Sequence, residues 1–331
     1  MPIDDFYLPI TQAATNSLTT PIFSLSLKKQ NMMASFEWKG VFPALLTPFD
    51  AQDQLDLGMY EINLKAQVDA GVSGIIIGGS LGEASTITLE EKEQLVKFSV
   101  GYLAGKLPVI MNIAEGSTKE AVRQAKLAKE WGASGLMLLP PMRYKSDDKE
   151  TVTFFKTVAT SMDLPVMIYN NPVDYKIEVT LDMFAELADV PNINALKEST
   201  RDVTNVTRLK NRFNDRFAIL CGVDTLTVEE LTLGADGLVA GLVDAFPKET
   251  VVMYNLVKAG KLDEAIKIYR WFMPLLELDI HPKLVQYIKL AATQTGIGSE
   301  YVRAPRLPLE GAERDRVLKI IETGIATRPS L

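Results

Sequence analysis

Apolar residues along this chain cluster into short runs, and the segments between the runs alternate apolar and polar residues with helical spacing. Runs of six or seven residues bounded by turn-forming residues are typical of buried strands. Eight occur between residues 41 and 242: "VFPALLT" (41–47), "GIIIGG" (74–79), "PVIMNI" (108–113), "GLMLLP" (135–140), "PVMIYN" (165–170), "INALKE" (193–198), "FAILCG" (217–222) and "GLVAGL" (237–242).

Helix signals fill the segments between the runs. Thr88 and Glu91 have the spacing of a capping box, and Ser117 and Glu120 repeat it in a segment that ends at Gly132. Eight strand-then-helix units predict an α/β fold, a (β/α)8 TIM barrel. The alternative is a doubly wound open sheet, which is disfavoured because no Gly-rich dinucleotide-binding turn follows the first strand.

After residue 259 the strand signal stops and three amphipathic helical segments follow. We therefore predict a barrel over residues 36–258 and a C-terminal three-helix region over 259–331. Residues 1–35 are rich in Ser and Thr and lack periodicity, so we predict a disordered or loosely docked extension ahead of a start near Met33. The middle C-terminal helix is predicted to place five residues on one face: Leu284, Val285, Ile288, Ala291 and Ala292.

Charge and composition narrow the class of partner. The 331 residues carry a formal charge of −7, which disfavours binding to nucleic acid or to an anionic membrane and favours a small-molecule substrate. No apolar run approaches the roughly 20 residues of a membrane span, and no signal-peptide pattern is present, so we expect a cytoplasmic protein. The single Cys221 and single His281 exclude an internal disulfide and multi-thiolate or multi-histidine metal sites.

Lys197 is the residue that a buried strand does not explain. Barrel active sites lie at the C-terminal ends of the strands, and Lys197 stands near the end of "INALKE". A desolvated, neutral lysine is a nucleophile toward carbonyl carbon and forms a Schiff base. The alternative is a rim lysine paired with Glu198 or Glu83. Polar or small residues close the other runs as well: Thr47, Ser80, Asn112, Tyr169, Asp224 and Gly241.

Tyr169 ends the strand before Lys197, where a phenol is placed to hydrogen-bond toward the lysine and to move a proton. A packing role for this aromatic ring is the alternative. Ser80 is placed to extend such a relay, and the backbone amides of "GGSLGE" offer donors to a carboxylate. Its glycines alone would also be explained by a tight turn.

Four motifs, "GGSLGEASTITLEEK", "YNNP", "LKES" and "CGVDTL", follow the predicted strands in this order. From about residue 38 onward the chain resembles the dihydrodipicolinate synthase and N-acetylneuraminate lyase superfamily of Schiff-base, class I aldolase-like barrels. The resemblance implies that Lys197 forms an imine with a 2-oxo acid, Tyr169 shuttles a proton and Ser80 continues the relay. It also implies a homo-oligomer, a dimer or a tetramer, and no metal or organic cofactor. The implied substrate-binding residues are Thr47, Gly79, Leu81, Gly222, Asp224, Gly241, Asp174 and Arg143.

Departures from the synthase pattern change the predicted substrate. Asp174 stands where the synthases carry an arginine for a second substrate carboxylate, Leu81 replaces a hydroxyl residue, and Met142 and Arg143 replace a tyrosine pair. Together with the C-terminal "RWFMPLLELDIHPKLVQYIKLA", they make the chain resemble most the Δ1-pyrroline-4-hydroxy-2-carboxylate deaminases of hydroxyproline catabolism.

Three functions are therefore considered. The first is this deaminase, in which Lys197 attacks C2 of the cyclic imine and loss of the 4-hydroxyl and hydrolysis release ammonia. The second is an aldolase or dehydratase of the same family, acting on a hydroxylated or sugar-derived 2-oxo acid. The third is a catalytically silent barrel that binds a metabolite, which the joint presence of Lys197 and Tyr169 disfavours.

Overall fold

The computed structural model describes residues 36–331, which form one compact unit. The predicted extension of residues 1–35, with its start near Met33, lies outside the described residues. Among the helices of residues 36–331, none is both long and apolar enough to cross a membrane.

A sheet of eight parallel strands forms the centre of the fold. The strands are β1 Gly40–Pro43, β2 Ile75–Ile77, β3 Val109–Ile113, β4 Gly135–Leu138, β5 Val166–Asn170, β6 Ile193–Glu198, β7 Ala218–Cys221 and β8 Gly237–Ala240. Each pairs with its neighbour along the sequence from β2 to β8, and β8 pairs with β1. A bridge between Ala44 and Ile76 joins the end of β1 to β2. The predicted barrel is thus confirmed.

The strand bounds lie close to the predicted runs, and the first run differs most. The predicted strand spans 41–47, whereas β1 ends at Pro43. Beyond it, the amide of Ala44 donates to Ala240 and that of Leu45 donates to Ile76, each over 2.9 Å. The backbone therefore changes partner from β8 to β2 and leaves the regular ladder. The strand that carries Lys197 has the predicted bounds.

Twelve helices surround or follow the barrel in the described chain: α1 Leu57–Ala70, α2 Leu89–Leu103, α3 Thr118–Glu130, α4 Asp148–Ala159, α5 Pro172–Tyr175, α6 Leu181–Leu187, α7 Thr204–Phe213, α8 Thr227–Thr232, α9 Pro247–Lys258, α10 Leu262–Leu276, α11 Leu284–Gln294 and α12 Gly311–Ala326. Thr88 and Glu91 form the predicted capping box at α2. At α3 only half of the box forms, because Ser117 accepts from the Glu120 amide while the Glu120 carboxylate binds Arg123. The three predicted C-terminal helices are present.

Strand alternation separates the barrel interior from the layer under the helices. One buried cluster contains inward-facing residues of every strand, among them Ile110, Met167 and Ala195. Tyr169 belongs to this cluster and lies two residues beyond Met167. Because side chains alternate along a strand, Lys197, two residues beyond Ala195, points to the same interior. The barrel fold therefore directs both predicted catalytic side chains inward.

Helix α11 is more deeply buried than its predicted amphipathic face implies. All eight residues from Val285 to Ala292 are buried, and Leu284 is only partly buried. The Lys289 amine within this stretch bonds the fully buried carboxylate of Glu83 over 2.5 Å. This ion pair ties the C-terminal region to the loop after β2, and each buried charge compensates the other.

Candidate active site

Lys197 and Tyr169 occupy paired positions on β6 and β5. The Lys197 amine lies over the tyrosine ring, 4.2 Å from the ring centroid, and the lysine side chain is 8% exposed. Sequence reasoning expected the phenol oxygen to face the lysine, and the structure instead places the ring face there. A cation or amine over an aromatic face is attracted by the ring quadrupole.

The alternative of a rim ion pair for Lys197 is wrong. The Glu198 carboxylate accepts from the Thr200 amide and the Asn205 side chain, each over 2.8 Å. Glu83 pairs with Lys289. Within residues 36–331 Lys197 forms no ion pair, because strand alternation points the neighbouring Glu198 to the opposite side of the sheet.

Burial favours the neutral form of the Lys197 amine. Desolvation lowers the pKa of its amine below the usual lysine value, and this effect outweighs the opposing influence of Tyr175, Asp279 and Asp224. Gly222, after β7, gives the side chain its room. A methyl group on Gly222 would lie 2.7 Å from the Lys197 Cε, closer than such atoms approach.

The surroundings of Tyr169 favour its protonated phenol. Burial raises the pKa of its phenol to about 12, although a hydrogen bond with Asn171 acts in the opposite direction. The Asn171 amide donates to the phenol oxygen over 3.1 Å. The phenol therefore keeps its proton at neutral pH and has it available for a substrate oxygen.

Ser80 bonds a tyrosine that the sequence reasoning did not include. Its hydroxyl lies 2.5 Å from the phenol oxygen of Tyr175, at the end of α5. The two rings of Tyr175 and Tyr169 meet edge to face, with centroids 5.5 Å apart. No hydrogen bond joins Ser80 to Tyr169 among the described residues, so the expected relay through Ser80 stays a prediction, and the hydroxyl partner of Ser80 is Tyr175.

The loop "GGSLGE" after β2 presents free backbone donors. Within the described chain the amides of Ser80 and Leu81 donate to no other protein group. Gly82 allows the loop to sit tightly on the barrel, since a methyl group there would lie 2.7 Å from the Leu45 carbonyl oxygen. Thr47 fixes the loop by donating to the Gly82 carbonyl over 2.7 Å. Two adjacent free amides suit a carboxylate.

One cavity at the C-terminal ends of the strands collects most of the predicted residues. The cavity wall contains eight of the residues predicted from the sequence: Gly79, Ser80, Leu81, Tyr169, Asp174, Lys197, Gly222 and Gly241. Three predictions need correction because the residues are not in this wall. Thr47 is buried beneath the loop, and Asp224 is turned away to accept from the amides of Gly241 and Leu242. Arg143 is exposed and packs on Gly116.

Several lining residues were missed by the sequence reasoning. Asn171 and Tyr175 follow β5, and Ser199 and Arg201 follow β6, so inspection of the five residues past each strand end would have found them. Arg201 has a left-handed backbone, with φ of 65°. Asp279 and Ile280 come from the α10–α11 connection and Leu284 begins α11, and strand position gives no signal for any of them.

Comparison with known proteins agrees with this geometry. The family model described as "Dihydrodipicolinate synthetase family" matches residues 37–324. The chain belongs to this family. A 4-hydroxy-tetrahydrodipicolinate synthase of Exiguobacterium sibiricum is 33% identical over 275 residues, 82% of this chain and 92% of that protein. One of Methanoculleus marisnigri is 31% identical over 290 residues, 86% and 98% of the two chains.

A solved structure shows the same fold. The 4-hydroxy-tetrahydrodipicolinate synthase of Methylacidiphilum fumariolicum SolV aligns with a TM-score of 0.84 and 26% identity, covering 88% of this chain and 97% of that one. The chain is thus a lyase of the dihydrodipicolinate synthetase family. Because these relatives carry the synthase name, they support the family aldolase more than the deaminase.

Two charged residues in the cavity wall, Asp174 and Arg201, bear on whether the site could bind the second carboxylate of a synthase substrate. Asp174 lines the cavity in place of the family arginine, and its carboxylate accepts from the Asn171 side chain over 2.7 Å. Arg201, however, brings a guanidinium to the same cavity. A second substrate carboxylate therefore has a cationic partner available, which the sequence reasoning overlooked. The expected homo-oligomer and the expected independence from cofactors stay predictions.

Proposed function

We propose that this member of the family is a Schiff-base lyase that joins Lys197 to a hydroxylated or sugar-derived 2-oxo acid and breaks a bond at C4. The observation that carries the proposal is the buried Lys197 amine, which faces the cavity over the Tyr169 ring without a carboxylate partner in the described chain. The substrate carboxylate binds the free amides of Ser80 and Leu81.

The proposed reaction begins with attack of the neutral Lys197 amine on C2 of the 2-oxo acid. Tyr169 donates its proton to the C2 hydroxyl, which leaves as water and gives the protonated imine. The resulting phenolate then removes a proton from C3, because a phenol with a pKa near 12 is a strong base once ionised. The imine is the electron sink, so the proposed chemistry calls for no metal or organic cofactor.

Two outcomes at C4 are open, one from this enamine and one from the protonated imine that precedes it. Loss of the C4 hydroxyl, as water, is dehydration and needs an acid. Cleavage between C3 and C4 instead starts from the protonated imine, before any enamine forms. It needs a base that removes the proton of the C4 hydroxyl. The cavity contains groups of both kinds, since Asp174 and Asp279 are carboxyl groups in its wall.

Deamination of Δ1-pyrroline-4-hydroxy-2-carboxylate is the second candidate. Asp174 favours it, because a carboxylate at this position repels the second carboxylate of the synthase substrate. The cyclic imine has a single carboxylate and a hydroxyl two carbons from C2, so the same elimination applies. Hydrolysis of the product with uptake of water then releases ammonia.

The test supplies the purified protein with three substrates in separate assays: pyruvate with aspartate semialdehyde, the hydroxypyrroline carboxylate, and a 2-oxo-3-deoxy sugar acid. Condensation product, ammonia, and pyruvate or dehydration product are measured respectively. Lys197→Ala is the control for lysine-dependent turnover in each. We expect turnover of the sugar acid. Turnover confined to the pyrroline selects the second candidate, and efficient condensation alone overturns the argument from Asp174.

A further inference from the structure

Asp279 is a cavity residue for which the proposed imine chemistry has no role so far. It lies between α10 and α11, three residues beyond the end of α10, and lines the same cavity as Lys197. Its backbone amide donates to Leu276 over 3.1 Å, which fixes the position of the turn. The C-terminal helical region thereby contributes a carboxyl group to the mouth of the barrel.

The side chain of Asp279 has space made for it by Gly241. A methyl group on Gly241 would lie 2.1 Å from the Asp279 Oδ1 and 3.2 Å from the Leu81 Cδ2. The carboxyl group therefore rests on the backbone after β8, beside the loop whose amides are free. Only glycine at position 241 permits this approach.

In the described part of the chain the Asp279 carboxyl has no hydrogen-bonding partner. Among residues 36–331 it forms no ion pair, and the hydrogen bonds of the described chain include none to its side chain. Its neighbour Asp224, by contrast, accepts from two backbone amides. The carboxyl group is partly exposed and lines the cavity, so it is available to a substrate there.

The surroundings of Asp279 favour its neutral form. Burial and the neighbouring Asp224 raise the pKa of the Asp279 carboxyl well above its usual range, against the weaker opposing effect of Lys197 and Arg201. A neutral carboxylic acid donates a hydrogen bond and a proton, which an ionised carboxylate cannot do. The side chain of Asp174, unlike that of Asp279, accepts a hydrogen bond from the Asn171 side chain.

We propose that Asp279 is the general acid that protonates the departing C4 hydroxyl, which makes this site a dehydratase of 4-hydroxy-2-oxo acids rather than an aldolase. The inference rests on the proposed imine at Lys197. In the step, the enamine pair forms the C3–C4 double bond and restores the iminium at C2. The C4–O bond breaks toward oxygen, the Asp279 proton moves to that oxygen, and water leaves. The Asp279 carboxylate then recovers a proton from solvent.

The test uses 4-hydroxy-2-oxopentanoate, whose dehydration gives 2-oxopent-3-enoate and whose aldol cleavage gives pyruvate and acetaldehyde. Asp279→Asn retains size and neutrality, so the fold should be kept, and the melting temperature checks it. Glu277→Gln, an exposed carboxylate two residues away, is the matched control. Exchange of pyruvate methyl protons with D2O reports imine and enamine formation without any leaving group.

We expect Asp279→Asn to slow dehydration by about 10²- to 10⁴-fold, the usual contribution of a general acid, and to slow proton exchange far less. Elimination from 4-chloro-2-oxopentanoate, corrected for the spontaneous reaction, should also be slowed far less, because chloride leaves without a proton. An equal loss in exchange would show that Asp279 acts on Lys197 or on the substrate carboxylate, and would overturn the proposal.

Two further results overturn the proposal in distinguishable ways. Cleavage by the unmodified protein to pyruvate and acetaldehyde, with normal proton exchange, would leave the imine at Lys197 intact and refute the acid role of Asp279. Absence of exchange in the folded, unmodified protein would refute the imine itself, and the role of Asp279 with it.

Discussion

The Lys197 amine lies 4.2 Å from the centroid of the Tyr169 ring, on an adjacent strand and in paired register. In this contact the lysine amine packs against an aromatic ring and not against a carboxylate. The amine therefore loses solvation without gaining an ion pair in the described chain. Loss of solvation lowers the pKa of the amine. The same ring carries the phenol proposed as proton donor, so one contact holds the proposed nucleophile and the proposed acid together.

The first prediction is that Lys197 alone forms the covalent adduct. Borohydride reduction in the presence of pyruvate should add mass to the peptide that contains Lys197, and Lys197→Ala should show no adduct. Lys92 and Lys289 are also buried, but Lys92 bonds Gln124 and Lys289 pairs with Glu83. Peptide mass mapping distinguishes the three, and an adduct on either of the others would contradict the assignment.

The second prediction concerns Tyr169. Replacement by Phe keeps the ring under the lysine and removes the proton donor, so turnover should fall by about 10²- to 10⁴-fold while the fold is kept. The yield of trapped imine after long incubation should fall much less than kcat, because equilibrium binding does not need the phenol. Unchanged turnover would reduce Tyr169 to a packing residue.

The third prediction is that Ser80 and Tyr175 act as a unit. Their oxygens lie 2.5 Å apart, so Ser80→Ala and Tyr175→Phe each remove the same hydrogen bond. The double variant should lose little more activity than either single variant, with a coupling energy of roughly 0.5–3 kcal/mol. Kinetics of the four proteins in one double-mutant cycle measure it. Additive losses would show two independent roles.

The fourth prediction tests the space that Gly222 leaves for Lys197. Gly222→Ala places a methyl group 2.7 Å from the Lys197 Cε and 2.1 Å from the Ser199 Oγ, so the lysine must move and imine formation should fall by at least about tenfold. Gly101→Ala in α2 is the control, because no atom lies within 4 Å of the added methyl group. It should keep full activity and gain about 0.5–1 kcal/mol in unfolding free energy. Equal imine yield in both variants would contradict the steric argument.

Sequence periodicity predicted the barrel because a strand buried on both faces reads as a continuous apolar run. Lys197 stands out because it interrupts such an apolar run. The alternation of side chains along the strand then directs it to the barrel interior. The first strand was predicted too long because residues 44–46 are apolar for another reason: Ala44 and Leu45 pair with β8 and β2 as the chain leaves the ladder. Apolar character alone does not distinguish these two forms of burial.

Asp279 shows why part of the site was beyond prediction. It reaches the cavity from the α10–α11 connection, and no periodicity relates that connection to the strand ends. Arg143 shows the opposite error, since a position after β4 was expected in the cavity and its side chain instead lies on Gly116. Placement of loop residues depends on contacts far apart in the chain, which local patterns do not encode.

Glu230 leads to the last prediction, which concerns stability. This residue of α8 is 1% exposed, and neither of its carboxylate oxygens has a hydrogen-bond partner in the described chain. Burial, followed by the negative charge of Glu198, raises the pKa of Glu230 from 4.5 to about 8. Between those values the folded protein holds a proton that the unfolded chain releases, so the free energy of unfolding falls as pH rises.

Replacement of Glu230 by Gln removes this titration. Between pH 5 and pH 7 the unmodified protein should lose up to about 1.4 kcal/mol of unfolding free energy per pH unit through this group, and the variant should not. The stability of the variant relative to the unmodified protein should therefore rise with pH. Urea unfolding at three pH values measures it, with the exposed Glu186→Gln as control. Below about pH 4 both states are protonated and the difference should become constant. A difference that does not change with pH would mean that Glu230 is ionised in the folded protein, with a cation or water satisfying its two oxygens.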